Sequence, residues 1–206
     1  MHRRIPLLIF SALLLLAPAI AGAAVSSTPL NSVPKGLASI GEENPIEAAF
    51  LEGVASYEAG DYPTAVRAWR TPAERGHAGA QFTLGIAYAT GKGVSVDLNR
   101  AVSWWEAAAA QGYAPAQFNL GMLYARGNGV DKDLTKARLW WQRAANSGDH
   151  SAQFHLGALA ATGEGGVKSY EEAARWWRLA AAQGNEQAAR GLHILKSHGA
   201  LPDETK

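Results

Sequence analysis

Ala80-Gln81-Phe82-Thr83-Leu84-Gly85-Ile86-Ala87-Tyr88-Ala89-Thr90-Gly91-Lys92-Gly93-Val94 reads as a helix stopped by a glycine loop, and the same pattern returns twice, from Ala116 and from Ala152. The three copies superimpose without a gap at a spacing of 36 residues. Self-similarity at such a period marks stacked supersecondary units, each of which buries its apolar face against the next. The register persists through Leu84, Leu120 and Leu156; Gly85, Gly121 and Gly157; Trp104-Trp105, Trp140-Trp141 and Trp176-Trp177; and Gly112, Gly148 and Gly184.

Each copy holds two helices. In the first, Ala80, Leu84, Ala87 and Tyr88 fall at three- and four-residue steps on one face, and the Gly91-Lys92-Gly93 loop ends it. In the second, Ala101, Trp104, Trp105, Ala108 and Ala109 make a wider apolar stripe. Asp97, Asp133 and Ser169 are placed to cap the second helices, and Glu172 after Ser169 predicts a capping box. A glycine inside the first helix costs about 1 kcal/mol relative to alanine. Gly85, Gly121 and Gly157 therefore predict close approach of the paired helix.

The flanks are degenerate. Ala48 to Gly79 keeps Gly53, Gly60, Ala65, Trp69 and Gly76 in matching order around a shorter loop, which predicts an ordinary tetratricopeptide-type helix pair. Ala188 to Lys196 begins a further first helix, with His193 where glycine would stand and no second helix after it. The fold read from these residues is an all-α array of helix-turn-helix repeats over residues 46–198. It comprises a pair at about 48–79, repeats at 80–115, 116–151 and 152–187, a cap at 188–198 and a tail at 199–206.

Met1-His2-Arg3-Arg4, the apolar run Ile5 to Ala17 and the small-residue stretch Ala21-Gly22-Ala23 have the three-part order of a secretory signal peptide over residues 1–23. Residues 24–45, rich in Ser, Pro, Gly and Thr, read as a flexible leader. There is no cysteine to staple an exported fold or carry a lipid anchor. A formal net charge of +1 points to neither nucleic acid nor an acidic membrane surface.

The pattern Ala-Gln-Phe-x-Leu-Gly-x-x-Tyr-x-x-Gly-x-Gly-Val, then Asp-Leu-x-x-Ala-x-x-Trp-Trp and Ala-Ala-x-x-Gly, resembles the Sel-1-like repeat, a relative of the tetratricopeptide repeat. The resemblance covers Ala80 to Gln187 at full strength. It implies a right-handed α-solenoid that serves as an adaptor or scaffold, often in exported bacterial proteins. Two departures fall in the third copy: Ala160 stands where Tyr88 and Tyr124 do, and Gly163-Glu164-Gly165-Gly166-Val167 shifts the valine by one.

Chemistry finds little footing. His77, His150, His155, His193 and His198 form no helical ligand pair, so no metal site is predicted. The glycines around Lys168 lack the phosphate-loop order. Asp131, Asp133, Glu171 and Glu172 each have a loop or helix-start reason to be where they are. No cofactor and no enzyme activity are predicted. The spacing of Trp105, Trp141 and Trp177 predicts core packing, and Trp104 and its equivalents lie at the stripe's edge, where partial exposure would suit a sugar ring.

The predicted function is an exported scaffold of the cell envelope, periplasmic or secreted, that holds a segment of a partner protein. Peptidoglycan or exopolysaccharide binding is the alternative. Thr83, Asn119 and His155 occupy one place on three successive first helices; Thr90, Arg126 and Thr162 lie two turns further along, with Ile86, Met122 and Ala158 between. Because first helices line the concave face in tetratricopeptide-like arrays, the resemblance makes these nine residues the predicted groove.

Overall fold

The computed structural model describes residues 44–201; the predicted signal peptide, the leader up to residue 43 and the tail beyond residue 201 lie outside the described residues. Among the described residues the chain forms nine α-helices and no strand. They are α1 (Pro45–Glu58), α2 (Tyr62–Glu74), α3 (Ala78–Thr90), α4 (Leu98–Ala110), α5 (Ala114–Arg126), α6 (Leu134–Asn146), α7 (His150–Thr162), α8 (Tyr170–Ala182) and α9 (Glu186–Ser197). The predicted all-α helix-turn-helix architecture is the one observed. The chain divides into two compact units, one ending at Lys132 and the other beginning at Asp133. In the first, each of α1 to α4 packs on the helix that follows it; in the second, α6 packs on α7, α7 on α8 and α8 on α9.

The mid-helix glycines have a specific use. A Cβ at Gly53, Gly85 or Gly157 would fall inside the indole of Trp69, Trp105 or Trp177 respectively. With no side chain in the way, each indole lies flat on its partner helix. Its Nε1 then donates to the carbonyl three residues before the glycine: Trp69 to Phe50 O (3.1 Å), Trp105 to Phe82 O (3.1 Å) and Trp177 to Phe154 O (3.0 Å). Buried indole N–H groups need such partners, and the helix carbonyl has a second lone pair to offer. Trp105, Trp141 and Trp177 are buried, as their spacing predicts, and so is Trp69. Alanines fill the space beside them, including Ala65, Ala101, Ala137 and Ala173, each 0% exposed.

The glutamine of each Ala-Gln-Phe motif is a buried polar group with a job. Gln81, Gln117 and Gln153 donate to the last-turn carbonyls of the preceding helix, at Ala73 (3.0 Å), Ala109 (3.1 Å) and Ala145 (3.3 Å). Each of those carbonyls also accepts from the glycine just past its helix, Gly76 N to Ala73 O, Gly112 N to Ala109 O and Gly148 N to Ala145 O, all at 3.0 Å, so the glutamine takes the second lone pair. Gln111 and Gln183, just past the ends of α4 and α8, then donate to Gln81 Oε1 (2.8 Å) and Gln153 Oε1 (3.1 Å). One amide thus ties three consecutive helices.

The second glycine of each loop seats the loop on the preceding pair. A Cβ at Gly93 would run into the Tyr62 carbonyl, one at Gly129 into Leu98 and one at Gly165 into the Leu134 carbonyl. In every case the neighbour begins a second helix. The positive φ of these residues (76°, 72° and 67°) is equally hostile to a side chain.

Asp97, Asp133 and Ser169 cap their helices, accepting from Arg100 N (3.0 Å), Lys136 N (2.9 Å) and Glu172 N (3.1 Å). The predicted capping box at Ser169 is only half made. Ser169 N–H donates to Ala160 O (2.8 Å), and Glu172 turns away, its Oε1 and Oε2 both accepting from Arg138 Nη2, at 2.9 and 3.0 Å. This ion pair accompanies the two departures in the third copy, and one of them makes room for it directly. In the first copy Arg100 donates to the Tyr88 hydroxyl (3.2 Å). In the third, Glu172 stands in the register of Arg100, Ala160 in that of Tyr88, and Gly166 leaves room beside the Arg138 guanidinium where Val94 would stand. The loop keeps its backbone, with φ of 83° and 67° at Gly163 and Gly165 against 72° and 76° at Gly91 and Gly93.

Both ends of the array are blunted. Exposed Glu52 occupies on α1 the register at which Leu84, Leu120 and Leu156 are buried, so a further apolar helix stacked there would desolvate a carboxylate. At the other end His193 replaces the lock glycine of α9, leaving no seat for another indole, and Ala200 and Leu201 pack against the terminal core with Leu192 and Ile194.

Candidate partner-binding face

The nine groove residues are borne by α3, α5 and α7, and the structure treats them unequally. Thr83 is 6% exposed and its Oγ1 donates to Ala80 O (3.0 Å). Ala158 is also buried, at 6%. Ile86, Met122, Asn119, Arg126, His155 and Thr162 are half-buried, and Thr90 is exposed. Both threonines near the helix ends spend their hydroxyls on their own helix: Thr90 Oγ1 donates to Ile86 O (2.8 Å) and Thr162 Oγ1 to Ala158 O (3.2 Å). On the unit ending at Lys132 the accessible residues are therefore Ile86, Thr90, Asn119, Met122 and Arg126; on the unit beginning at Asp133 they are His155 and Thr162.

The first row has a packing duty that the sequence did not reveal. His155 stacks on Trp141, ring centroids 4.5 Å apart and planes 14° from parallel. The residue at the same register on α9 is Gly191, where a Cβ would come within 2.8 Å of the Trp177 ring. Residue type at this register varies at least in part because each side chain must fit the tryptophan of the preceding pair. Variation alone is thus no mark of partner reading there.

Electrostatics separates the two kinds of helix. Across α3, α5 and α7, 39 residues carry one charged side chain, Arg126; across α4, α6 and α8, another 39 carry nine. Several of the latter are committed to aromatic faces, with Arg100 over Tyr88 (5.4 Å), Arg143 over Trp140 (4.6 Å) and Arg175 over Trp176 (5.4 Å). Lys92, in the α3–α4 loop, donates to the Tyr57 hydroxyl (2.9 Å) and lies 4.9 Å from the centroids of both Tyr57 and Tyr62. The Tyr57 hydroxyl holds the Lys92 ammonium above its ordinary value. Tyr113, the N-cap of α5, packs on Phe82 (5.2 Å), and burial pushes its phenol up.

The edge tryptophans divide. Trp104 and Trp140 are half-buried, but Trp176 is buried at 7% with its Nε1 3.4 Å from Glu172 Oε1, contrary to the expected exposure. No cluster of three metal-ligating side chains occurs among the described residues, and none of their helices is long and apolar enough to cross a membrane.

The Sel1 repeat profile matches residues 78–113, 114–149 and 150–185. The chain belongs to the Sel1 repeat family. Each matched Sel1 repeat opens with a first helix, two residues ahead of the phase read from the Ala-Gln-Phe motif, and the α1–α2 pair lies outside the match. A Sel1 repeat protein from Oxalobacter formigenes is 35% identical with a TM-score of 0.70, over 73% of this chain and 62% of that one. The protein c5321, a protective antigen present in uropathogenic Escherichia coli strains displaying an SLR fold, is 34% identical with a TM-score of 0.74, over 79% of this chain and 36% of its own. Helicobacter pylori cysteine rich protein B shares the fold at 22% identity and a TM-score of 0.51. This chain spans less than two thirds of the length of the first two structures. No curated protein matches the sequence significantly. Sel1 repeat proteins generally mediate protein–protein interaction.

Proposed function

We propose that this Sel1 repeat protein is an exported interaction scaffold of the cell envelope whose first-helix faces hold a segment of a partner protein. One observation carries the reading. The residues common to the repeats are spent on holding helices together, as indole locks, glutamine ties and loop seats, whereas the accessible first-helix positions outside the tryptophan-packing row, Ile86 and Met122 in one register and Thr90 and Arg126 in another, differ from one repeat to the next. A repeat array built this way offers a firm frame with an individually adjustable face. Export is supported by the order of basic, apolar and small residues over 1–23.

The test uses a photo-crosslinking residue placed at Ile86 or Met122, with Ser103 on α4 as control, in cells separated into cytoplasmic, periplasmic and external fractions. Adducts with a protein partner from an exported fraction at positions 86 and 122 but not at 103 are expected. Equal labelling at Ser103, or retention in the cytoplasm, removes the reading. Half-buried Trp104 and Trp140 sustain the alternative of glycan binding. Retention on purified peptidoglycan that is lost in Trp104→Ala and Trp140→Ala would establish that alternative instead.

A further inference from the structure

Extending the first-helix register to α1 brings a charge into view that the nine groove residues omit. Glu58, Thr90 and Arg126 are equivalent last residues of α1, α3 and α5, all in the unit ending at Lys132. Glu58 and Thr90 are exposed and Arg126 is half-buried. One turn inward, the equivalent residues are Val54, Ile86 and Met122, an apolar row with Ile86 and Met122 accessible. The nearby cation Lys92 is tied to Tyr57 and Tyr62. Thr90 adds no charge and spends its hydroxyl on Ile86 O.

Resting on the scaffold reading above, we infer that this face binds a peptide segment with an uncharged, apolar centre bracketed by one basic and one acidic residue. The basic residue meets Glu58 and the acidic one meets Arg126, while the centre covers Ile86 and Met122. A charged centre would have to be desolvated against side chains that give nothing back. α1, α3 and α5 pack on the second helices between them, and with packed helices about 8–10 Å apart Glu58 and Arg126 are separated by at least about 20 Å, the span of about six residues of extended chain. The partner's two charges are therefore at least about six residues apart, and a six-residue spacing is the shortest probe that can reach both.

The experiment uses the full chain and three labelled peptides with blocked termini, Lys-Val-Ser-Val-Ser-Val-Asp and its versions with lysine or aspartate at both ends. The mixed peptide is expected to bind about three- to five-fold tighter than either like-charged one at low salt, the scale of one exposed ion pair. About 1 M salt should erase that preference. Arg126→Glu should transfer it to the two-lysine peptide, and Glu58→Lys, at an exposed position that leaves packing untouched, to the two-aspartate peptide. An unchanged order in both variants overturns the bracket while leaving the scaffold reading intact. Absence of binding by all three peptides to a chain with wild-type helical circular dichroism overturns this face as a peptide site and the bracket with it.

Discussion

The α1–α2 pair lies outside the family match and α3–α4 lies within it, yet the two are built on the same joint. In both, an indole lies on a glycine and donates to a carbonyl three residues earlier, Trp69 to Phe50 in one and Trp105 to Phe82 in the other. They differ in the connector, three residues (59–61) in the first pair and seven (91–97) in the second. In the longer connector Asp97 N donates to Tyr88 O (2.9 Å) within its own pair, and the connector also reaches beyond that pair. Its second glycine sits on the start of α2, so the extra residues join one pair to the one before it. The first pair has no such loop, and exposed Glu52 gives it no apolar seat for a preceding helix. In these two pairs the lock joins the helices of a pair, and the longer loop adds a contact with the pair before it.

The sharpest way to break that comparison is to remove the lock in each pair. Trp69→Ala, Trp105→Ala and Trp177→Ala should each cost about 3–5 kcal/mol, the range for truncating a fully buried tryptophan. Chemical denaturation monitored by circular dichroism checks this, and the prediction requires Trp69→Ala to rank with the other two. A markedly milder loss at Trp69 would mean that the first pair is held by something other than its lock. Next in size, Gly53→Ala and Gly85→Ala should each cost about 2 kcal/mol, because overpacking by one methyl outweighs the gain of about 1 kcal/mol in helix propensity. Displaced indoles would show as a shift in tryptophan fluorescence.

The connectors predict a contrast between two glycines with similar φ. Gly60 has a φ of 82° and open space around it, whereas Gly93 has a φ of 76° and lies against the Tyr62 backbone. Gly60→Ala should cost about 1 kcal/mol from the left-handed backbone alone, and Gly93→Ala about 2 kcal/mol, since the loop must also lift from α2. Hydrogen exchange gives the finer reading. Only Gly93→Ala should speed exchange in the first turn of α2.

Much of this frame was legible in the sequence because period and residue type coincide: glycine, tryptophan and alanine repeat every 36 residues, and the cap residues stand where the apolar stripe begins. What stayed hidden needs a partner far along the chain. Gln81 looks like a polar residue on a helix face until the Ala73 carbonyl appears beside it. Glu172 completes a capping box by local pattern, yet Arg138, 34 residues away, offers a charge-assisted bond that Ser169 N–H cannot match. The groove suffered most from this limit. Helical-wheel geometry puts Thr83, Asn119 and His155 in a row, but it cannot show that His155 lies on Trp141 or that Thr83 is closed off. Nor did the three strong repeats, read by themselves, bring in Glu58, which belongs to the weak first pair.

The smallest effect tests whether the first pair and the second are joined through the Lys92 contact as well as the Gly93 seat. The Tyr57 hydroxyl raises Lys92, so folding favours its protonated form. The stability this adds is complete below the unfolded lysine value of about 10.4 and is lost as pH rises through the higher folded value. Tyr113 moves the curve the same way for a different reason. Burial raises its phenol, so above about pH 10 the unfolded chain ionises first and stability falls. Thermal unfolding between pH 8 and 11 should therefore show a decline with two removable parts. Tyr113→Phe should flatten its share at the α3–α5 junction. Tyr57→Phe should remove the share of Lys92 and leave the tyrosine share in place. Lys92 is half-buried at the loop surface, and solvent screening keeps its part under about 0.5 kcal/mol. If Tyr57→Phe instead lowered stability equally at pH 7 and pH 11, the tyrosine would be acting by packing, through its contacts with Tyr62 and Trp69, and the charge would add nothing to the join.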